Sequence, residues 1–229
     1  MEEYGYIREN LAAITAEIRE LGERVRRRIT AVAVTKSGSD EELLALLRAG
    51  ATDIGENRPG ELRRRADLLK EKGFAPRLHE IGNLQRNKVK LIAPDVSLIH
   101  SLDNLALAEV ISRQAVALGR TIPCLIEINS GREESKGGVD PDGAEEFCLA
   151  VRELPGIEIA GVMTMGPALD DPEEMRPYFR LTKGIFDRIG EKYGYAGEGI
   201  LSMGMSDSYR VAIEEGATLV RIGRAFFRR

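Results

Sequence analysis

Cysteine is scarce in this chain: of 229 residues only Cys124 and Cys148 are cysteines. Their spacing fits no metal-ligand pattern, so both read as reduced core thiols; a metal site is not expected, and the chain reads as cytoplasmic. Aromatic residues make up 5% of the sequence, and none interleaves with the basic runs Arg24 to Arg28 and Arg63 to Arg65. With acidic neighbours and a net charge of -4, these runs read as solvated helix faces, which excludes an expected nucleic-acid partner. Long uncharged runs are missing too. The first twenty residues carry Glu2, Glu3, Arg8, Glu9, Glu17, Arg19 and Glu20, so no secretory apolar region is read there and no membrane partner is expected. No composition shift, linker or internal repeat divides the chain. Residues 1–229 are therefore expected to form one domain, with 1–28 as a leading helical segment packed on it.

What the sequence does have is alternation. Ile7, Leu11, Ile14, Ile18, Leu21 and Val25 recur at spacings of three and four, which predicts an amphipathic helix. Strand-like runs follow at Ala31 to Thr35, Ala51 to Ile54, Arg77 to Ile81, Ser97 to Ile99, Ile122 to Ile128, Ile157 to Met163, Gly199 to Leu201 and Thr218 to Ile222. Helical patterns lie between them at Asp40 to Ala49, Arg58 to Lys72, Leu84 to Ala93, Asp103 to Leu118, Pro141 to Glu153, Pro172 to Tyr193 and Asp207 to Glu215. Strict alternation argues for a parallel sheet in the α/β class, and eight units is the number that closes a (β/α)8 TIM barrel. An open doubly wound sheet is the alternative at this level.

In such a barrel the chemistry sits where the strands end. Lys36 ends the first run and is followed at once by the turn residues Ser37 to Asp40; desolvation of an amine there would favour Schiff-base formation with a carbonyl. Both histidines, His79 and His100, fall at expected strand ends. Ser202-Met203-Gly204-Met205-Ser206 brings hydroxyls and glycine backbone to the start of a helix, and Gly223 follows Arg221 on the next strand, which together suggest a phosphate cradle. Glycines that merely serve tight turns would give the same spacing. A Schiff-base lysine, a phosphate cradle and an arginine able to meet a ring nitrogen call for one ligand with an aldehyde, a phosphate and a pyridine. Pyridoxal 5'-phosphate (PLP) has all three.

Several segments resemble the pyridoxal phosphate homeostasis proteins, the YggS/PROSC family. They are Ala33 to Lys36, Gly55 to Arg58, His79 to Lys88, Ile99 to Asp103, Arg132 to Gly138, Ser202 to Ser206 and Val220 to Gly223, in family order between about Ala31 and Phe227. The resemblance implies a barrel like the N-terminal domain of alanine racemase, with PLP bound to Lys36 as an internal aldimine. It implies that Ser202, Gly223 and Arg224 hold the phosphate, with Ser206 a second phosphate candidate. It places Arg221 at the pyridine nitrogen, Asn57 and His79 along the site, and Lys136 in the loop above the barrel. The chain departs from the family at Leu78 and Glu80 beside His79, at Ser208 in place of aspartate, at Arg224 in place of threonine, and at Arg228 and Arg229 after Phe227.

The same resemblance frames the function as PLP homeostasis: buffering, protecting or delivering the cofactor, with PLP-dependent apoenzymes as candidate recipients and a monomer or weak dimer as the expected state. Racemisation needs an acid/base group on each face of the substrate adduct, and no tyrosine of this chain falls at a strand end. An arginine at the ring nitrogen also weakens the ring as an electron sink. No robust enzymatic activity is therefore expected. The alternative is a PLP-dependent amino-acid racemase or lyase with an open single-domain site.

Overall fold

The computed structural model describes residues 4–133 and 136–228. Glu134 and Ser135 of the loop motif, Glu2 and Glu3 at the start and Arg229 at the end lie outside the described residues. The eight strands close into a barrel in sequence order, each parallel to its neighbours, with β8 pairing back onto β1. The strands are β1 Thr30–Val34, β2 Asp53–Glu56, β3 Arg77–Glu80, β4 Leu98–Leu102, β5 Ile122–Glu127, β6 Ile157–Met163, β7 Ile200–Ser202 and β8 Leu219–Ile222. The barrel, not the open sheet, is the architecture.

Helices α1 Gly5–Arg24, α2 Asp40–Arg48, α3 Pro59–Glu71, α4 Val89–Ile92, α5 Leu105–Ala117, α6 Ala144–Arg152, α7 Arg176–Tyr193 and α8 Tyr209–Glu214 surround it. Their starts follow local chemistry. Ser39 and Glu42 form a reciprocal capping box on α2, and the Asn104 side chain accepts from the Leu107 amide at the head of α5. Helix α1 buries Ile7 and Ile18 and covers the seam between the first and last units. Tyr6 donates to Glu42 of α2 at 2.5 Å, Tyr209 of α8 donates to Glu17 at 2.8 Å, and Asn10 donates to the Arg228 carbonyl at 2.8 Å.

Apolar residues divide into two cores. The larger lies between strands and helices; the smaller fills the barrel with Val32, Leu98, Leu125, Ala160, Met163 and Leu219. Alternation along each strand separates the two sets. It also explains Leu78 and Glu80, which face the helical layer while His79 between them faces inward, so the departures from the family at those positions do not touch the barrel interior.

Some element boundaries differ from the sequence reading, for identifiable reasons. Residues expected as a helix from Leu84 form a 3-10 turn at Arg86–Lys88 and the single turn α4, because the preceding residues cross the rim and Gly82 packs on Asn57. Helix α8 begins at Tyr209, not Asp207, since the Ser208 and Tyr209 amides both donate back to the Met205 carbonyl. Strands β2, β4 and β7 run further toward their C-terminal ends than their apolar stretches: Glu56, His100, Ser101 and Ser202 are strand residues.

Candidate functional site

The rim at the C-terminal ends of β1, β8 and β7 brings three expected residues together. Lys36 leaves β1 into a turn closed by the Gly38 amide donating to Thr35 carbonyl at 2.9 Å. Its side chain is exposed and makes no hydrogen bond or ion pair with the described residues. The desolvation expected of it from sequence is thus not supplied by the fold; the amine is free, not buried. Beside it, Gly223 follows β8, where a β-carbon would lie 3.2 Å from the Val34 carbonyl oxygen. A side chain there would press on the β1 backbone and push it back by a few tenths of an ångström. The Gly223 amide donates to Ser206 Oγ at 3.3 Å, while the amides of Ser206, Asp207, Arg224 and Ala225 have no acceptor among the described residues. A hydroxyl and a set of unpaired amides form an anion cradle next to the free amine.

Two residues assigned to that cradle do not belong in it as expected. Ser202 pairs in register with Leu219, four residues before Gly223, which is roughly 13 Å of strand at ~3.3 Å per residue. It is fully buried, and its Oγ accepts from Arg221 Nη1 at 2.6 Å and meets His100 Nδ1 at 3.0 Å. Ser202 therefore orients Arg221, and Ser206 is the serine of the cradle. The Arg224 guanidinium turns outward to Asp207, so its amide and not its charge faces the cradle. Gly204 is glycine for packing: a β-carbon there would lie 2.5 Å from the Ala212 β-carbon on α8. Ser208 does not cap α8 by its side chain; its Oγ accepts from the Met205 amide at 3.2 Å.

Arg221 lies inside the barrel, 2% exposed, with Nη2 donating to the Thr164 carbonyl at 2.9 Å and contacting Met165 Sδ at 3.3 Å. Burial lowers its pKa to about 10, opposed by the charge of Glu127. Its Nε makes no hydrogen bond among the described residues, the bonds running from Nη1 and Nη2. Neither histidine reaches the rim. His79 Nδ1 meets His100 Nε2 at 3.0 Å, and His79 Nε2 meets Asp53 Oδ1 at 3.0 Å. Both rings are buried, and burial, with His79 and Arg221 nearby, pushes His100 well below its ordinary value. Asp53 is held down at about 2: hydrogen bonds from His79, Arg77 and Thr52 outweigh the opposing effect of burial.

Asn57 stands at the end of β2, pinned by Gly82, where any β-carbon would lie 2.2 Å from the Asn57 carbonyl oxygen. Its side chain has no partner among the described residues. Behind this rim, Glu56 pairs with Arg65 at 2.7 Å and accepts from Thr35, while Arg65 also donates to the Gly38 carbonyl at 2.8 Å. This buried pair braces the Lys36 turn from outside the barrel. Glu80 next to it has one oxygen accepting from the Gly82 amide at 3.1 Å and the other unpartnered; burial pushes its carboxyl up to about 8.

Sequence reasoning missed Glu127. It ends β5 inside the mouth, and burial, reinforced by Asp103, raises its carboxyl to about 7. It lines a cavity of about 390 Å³ with Ser130, Lys136, Met165 and Met205, on the side of the mouth opposite Lys36. Lys136 lies over this cavity, donating to Glu133 Oε1 at 2.7 Å and to the Gly166 carbonyl at 3.2 Å. The signal available was the parity of Glu127 with Leu125 on an inward face. A larger groove of about 870 Å³ runs under α1 at the opposite end of the barrel and contains none of the rim residues. Among the described residues there is no cluster of three or more metal-ligating side chains and no helix long and apolar enough to cross a membrane.

Comparison with known proteins gives a consistent picture. Residues 10–228 match the family described as alanine racemase, N-terminal domain. A pyridoxal phosphate homeostasis protein of Aquifex aeolicus is 39% identical over 222 residues, 96% of each chain. One from Helicobacter pylori is 36% identical over 199 residues, 86% of each. Among solved structures, an unknown protein from Bifidobacterium adolescentis superposes with a TM-score of 0.90 at 34% identity, over 99% of this chain and 97% of that one. PipY of Synechococcus elongatus with PLP bound superposes with a TM-score of 0.84 at 26% identity, over 97% of this chain and all of that one.

Proposed function

The chain belongs to the family of pyridoxal phosphate homeostasis proteins, on the N-terminal-domain fold of alanine racemase, and from that premise we propose that it binds PLP in the cytoplasm and buffers, protects or delivers it. The observation that carries this reading is the pairing of a free amine, Lys36, with the anion cradle of Ser206, Gly223 and Arg224 on the adjacent strand end. The residues present fit the cofactor. When bound, PLP would supply an aldehyde, and Lys36 would be the amine that holds it. Ser206 Oγ and the unpaired amides would hold the phosphate dianion by charge-assisted hydrogen bonds. Arg221 would offer Nε to an unprotonated ring nitrogen, and Asn57 would border the ring. The exposure of Lys36 leaves the attachment open to water and to incoming amines, which suits a protein that releases what it holds.

PLP-dependent apoenzymes are the proposed recipients. Catalysis is not part of the proposed role. Tyr178 and Tyr193 lie on α7, Tyr195 donates to the Phe186 carbonyl, Tyr209 is tied to Glu17, and Tyr4 and Tyr6 head α1, so none stands opposite Lys36. The one observation that favours a racemase or lyase instead is Glu127, an inward carboxyl poised at about 7.

Incubation with PLP is expected to give a visible absorption band that borohydride traps on Lys36, and Lys36→Ala is expected to lose it. No band in the wild type, or an unchanged band in the variant, would sink the assignment. Lys36-dependent isotope exchange at the α-carbon of an amino acid would promote the racemase reading. Transfer from the loaded protein to a cofactor-free acceptor enzyme, compared with free PLP, tests delivery.

A further inference from the structure

Arg221 is a buried cation with no carboxylate in contact among the described residues, Glu127 acting on it only through space; the nearest acid along its hydrogen bonds is Asp53, on the far side of the barrel. Four consecutive contacts join them: Arg221 Nη1 to Ser202 Oγ at 2.6 Å, Ser202 Oγ to His100 Nδ1, His100 Nε2 to His79 Nδ1, and His79 Nε2 to Asp53 Oδ1, the last three each at 3.0 Å. Every residue in the chain is at most 4% exposed. The residues come from β8, β7, β4, β3 and β2, all on inward-facing positions.

The direction of these bonds can be worked out from donor and acceptor chemistry. Asp53 also receives Arg77 and Thr52, so it is an ionised acceptor, and His79 Nε2 must carry a hydrogen. Two orders then remain. If either ring is an imidazolium, His100 donates to Ser202 Oγ, which already accepts from Arg221. The serine hydrogen is then left without an acceptor in a fully buried position, and two cations share the barrel. If both rings are neutral, the bare Nδ1 of His79 accepts from His100 Nε2–H, the bare Nδ1 of His100 accepts from Ser202 Oγ–H, and Ser202 accepts from Arg221. Each hydrogen has one acceptor, and every dipole points from the cation to the anion.

We propose that Asp53 is a positioning residue for Arg221, acting through His79, His100 and Ser202 as a relayed ion pair that spans the barrel and fixes the arginine as a donor. His79, expected from the family resemblance to line the cofactor site, becomes a link in this relay. Asp53 lines the floor of the groove beneath α1, so the far end of the relay lies at the opposite end of the barrel from the cradle. The role of Arg221 toward a ring nitrogen rests on the PLP reading above; the order of the relay does not.

The relay is tested first on the cofactor-free protein. Nitrogen-15 NMR of the histidine rings, of which the chain has two, is expected to show both with hydrogen on Nε2 and bare Nδ1. A hydrogen on Nδ1 of either ring would overturn the proposed order. The second test compares wild type with Asp53→Asn for PLP and for its 1-deaza analogue, which lacks the ring nitrogen. The variant is expected to bind PLP about tenfold more weakly while binding the analogue as wild type does, the loss of one charge-assisted contact. Equal losses for both ligands would mean that Asp53 is merely structural and defeat the proposal. His79→Gln, which keeps Asp53 and breaks the relay one link later, is expected to reproduce the selective loss if Asp53→Asn fails to fold. Failure of the wild type to bind PLP would refute the PLP reading alone, and the ring tautomers would then decide the relay.

Discussion

Ser206 and Gly223 meet across the ends of β7 and β8, the glycine amide donating to the serine Oγ at 3.3 Å, while Ser202 four residues earlier is sealed inside the barrel. Two serines of one motif thus have different work. Ser206→Ala is expected to weaken PLP about tenfold, ~1.4 kcal/mol for one charge-assisted hydrogen bond, and to leave pyridoxal, which lacks the phosphate, unaffected. Ser202→Ala strands Arg221 and His100 without their shared partner and is expected to cost about 1–3 kcal/mol of stability. Titrations with both ligands and urea unfolding of both variants check this; equal phosphate selectivity in the two would reject the division.

Stability is expected to fall as pH rises because of Glu80. Its carboxyl titrates near 4.5 when exposed and at about 8 in the folded protein, so between those values only the folded state holds the proton. Its contribution is fully present below 4.5 and is lost as pH rises toward 8, at up to ~1.4 kcal/mol per pH unit. Glu56 and Glu127 shift in the same direction and add to the slope. Glu80→Gln is expected to make the slope shallower between pH 5 and 7.5 by urea unfolding. Parallel curves for variant and wild type would contradict it.

Gly82→Ala places a β-carbon 2.2 Å from the Asn57 carbonyl oxygen, against backbone that cannot step aside. The expected cost is about 1–3 kcal/mol, with weakened PLP binding as Asn57 shifts. Gly60→Ala, where nothing lies within 4 Å, is the control and should not destabilise. Thermal melts of the pair measure the contrast.

Neither thiol should react in the native protein. Cys124 and Cys148 are buried, and burial raises both, Cys148 to about 11, so little thiolate is present and access is closed. A colorimetric thiol reagent is expected to register nothing until denaturant is added, and two equivalents afterwards. Rapid native labelling at either position would show that the helical layer opens.

The sequence by itself determined the barrel. Eight apolar runs separated by helical periodicity leave a parallel sheet few ways to close, and β6 is found at the expected Ile157–Met163. Lys36 and Gly223 each carried a local signal, a lysine where a strand gives way to a turn and a glycine directly after a strand, and the closed barrel sets the two strand ends side by side. What it placed wrongly were the polar residues His79, His100 and Ser202, read as rim. For His100 and Ser202 the apolar runs stop before the strands do, and His79 lies within β3 itself, since the barrel interior accepts polar side chains once they satisfy one another. That satisfaction is a property of five strands at once: Asp53 and Arg221, 168 positions apart in the chain, become connected only when β2, β3, β4, β7 and β8 close around them. Local sequence sets which way each residue points. Only the closed barrel decides what it meets.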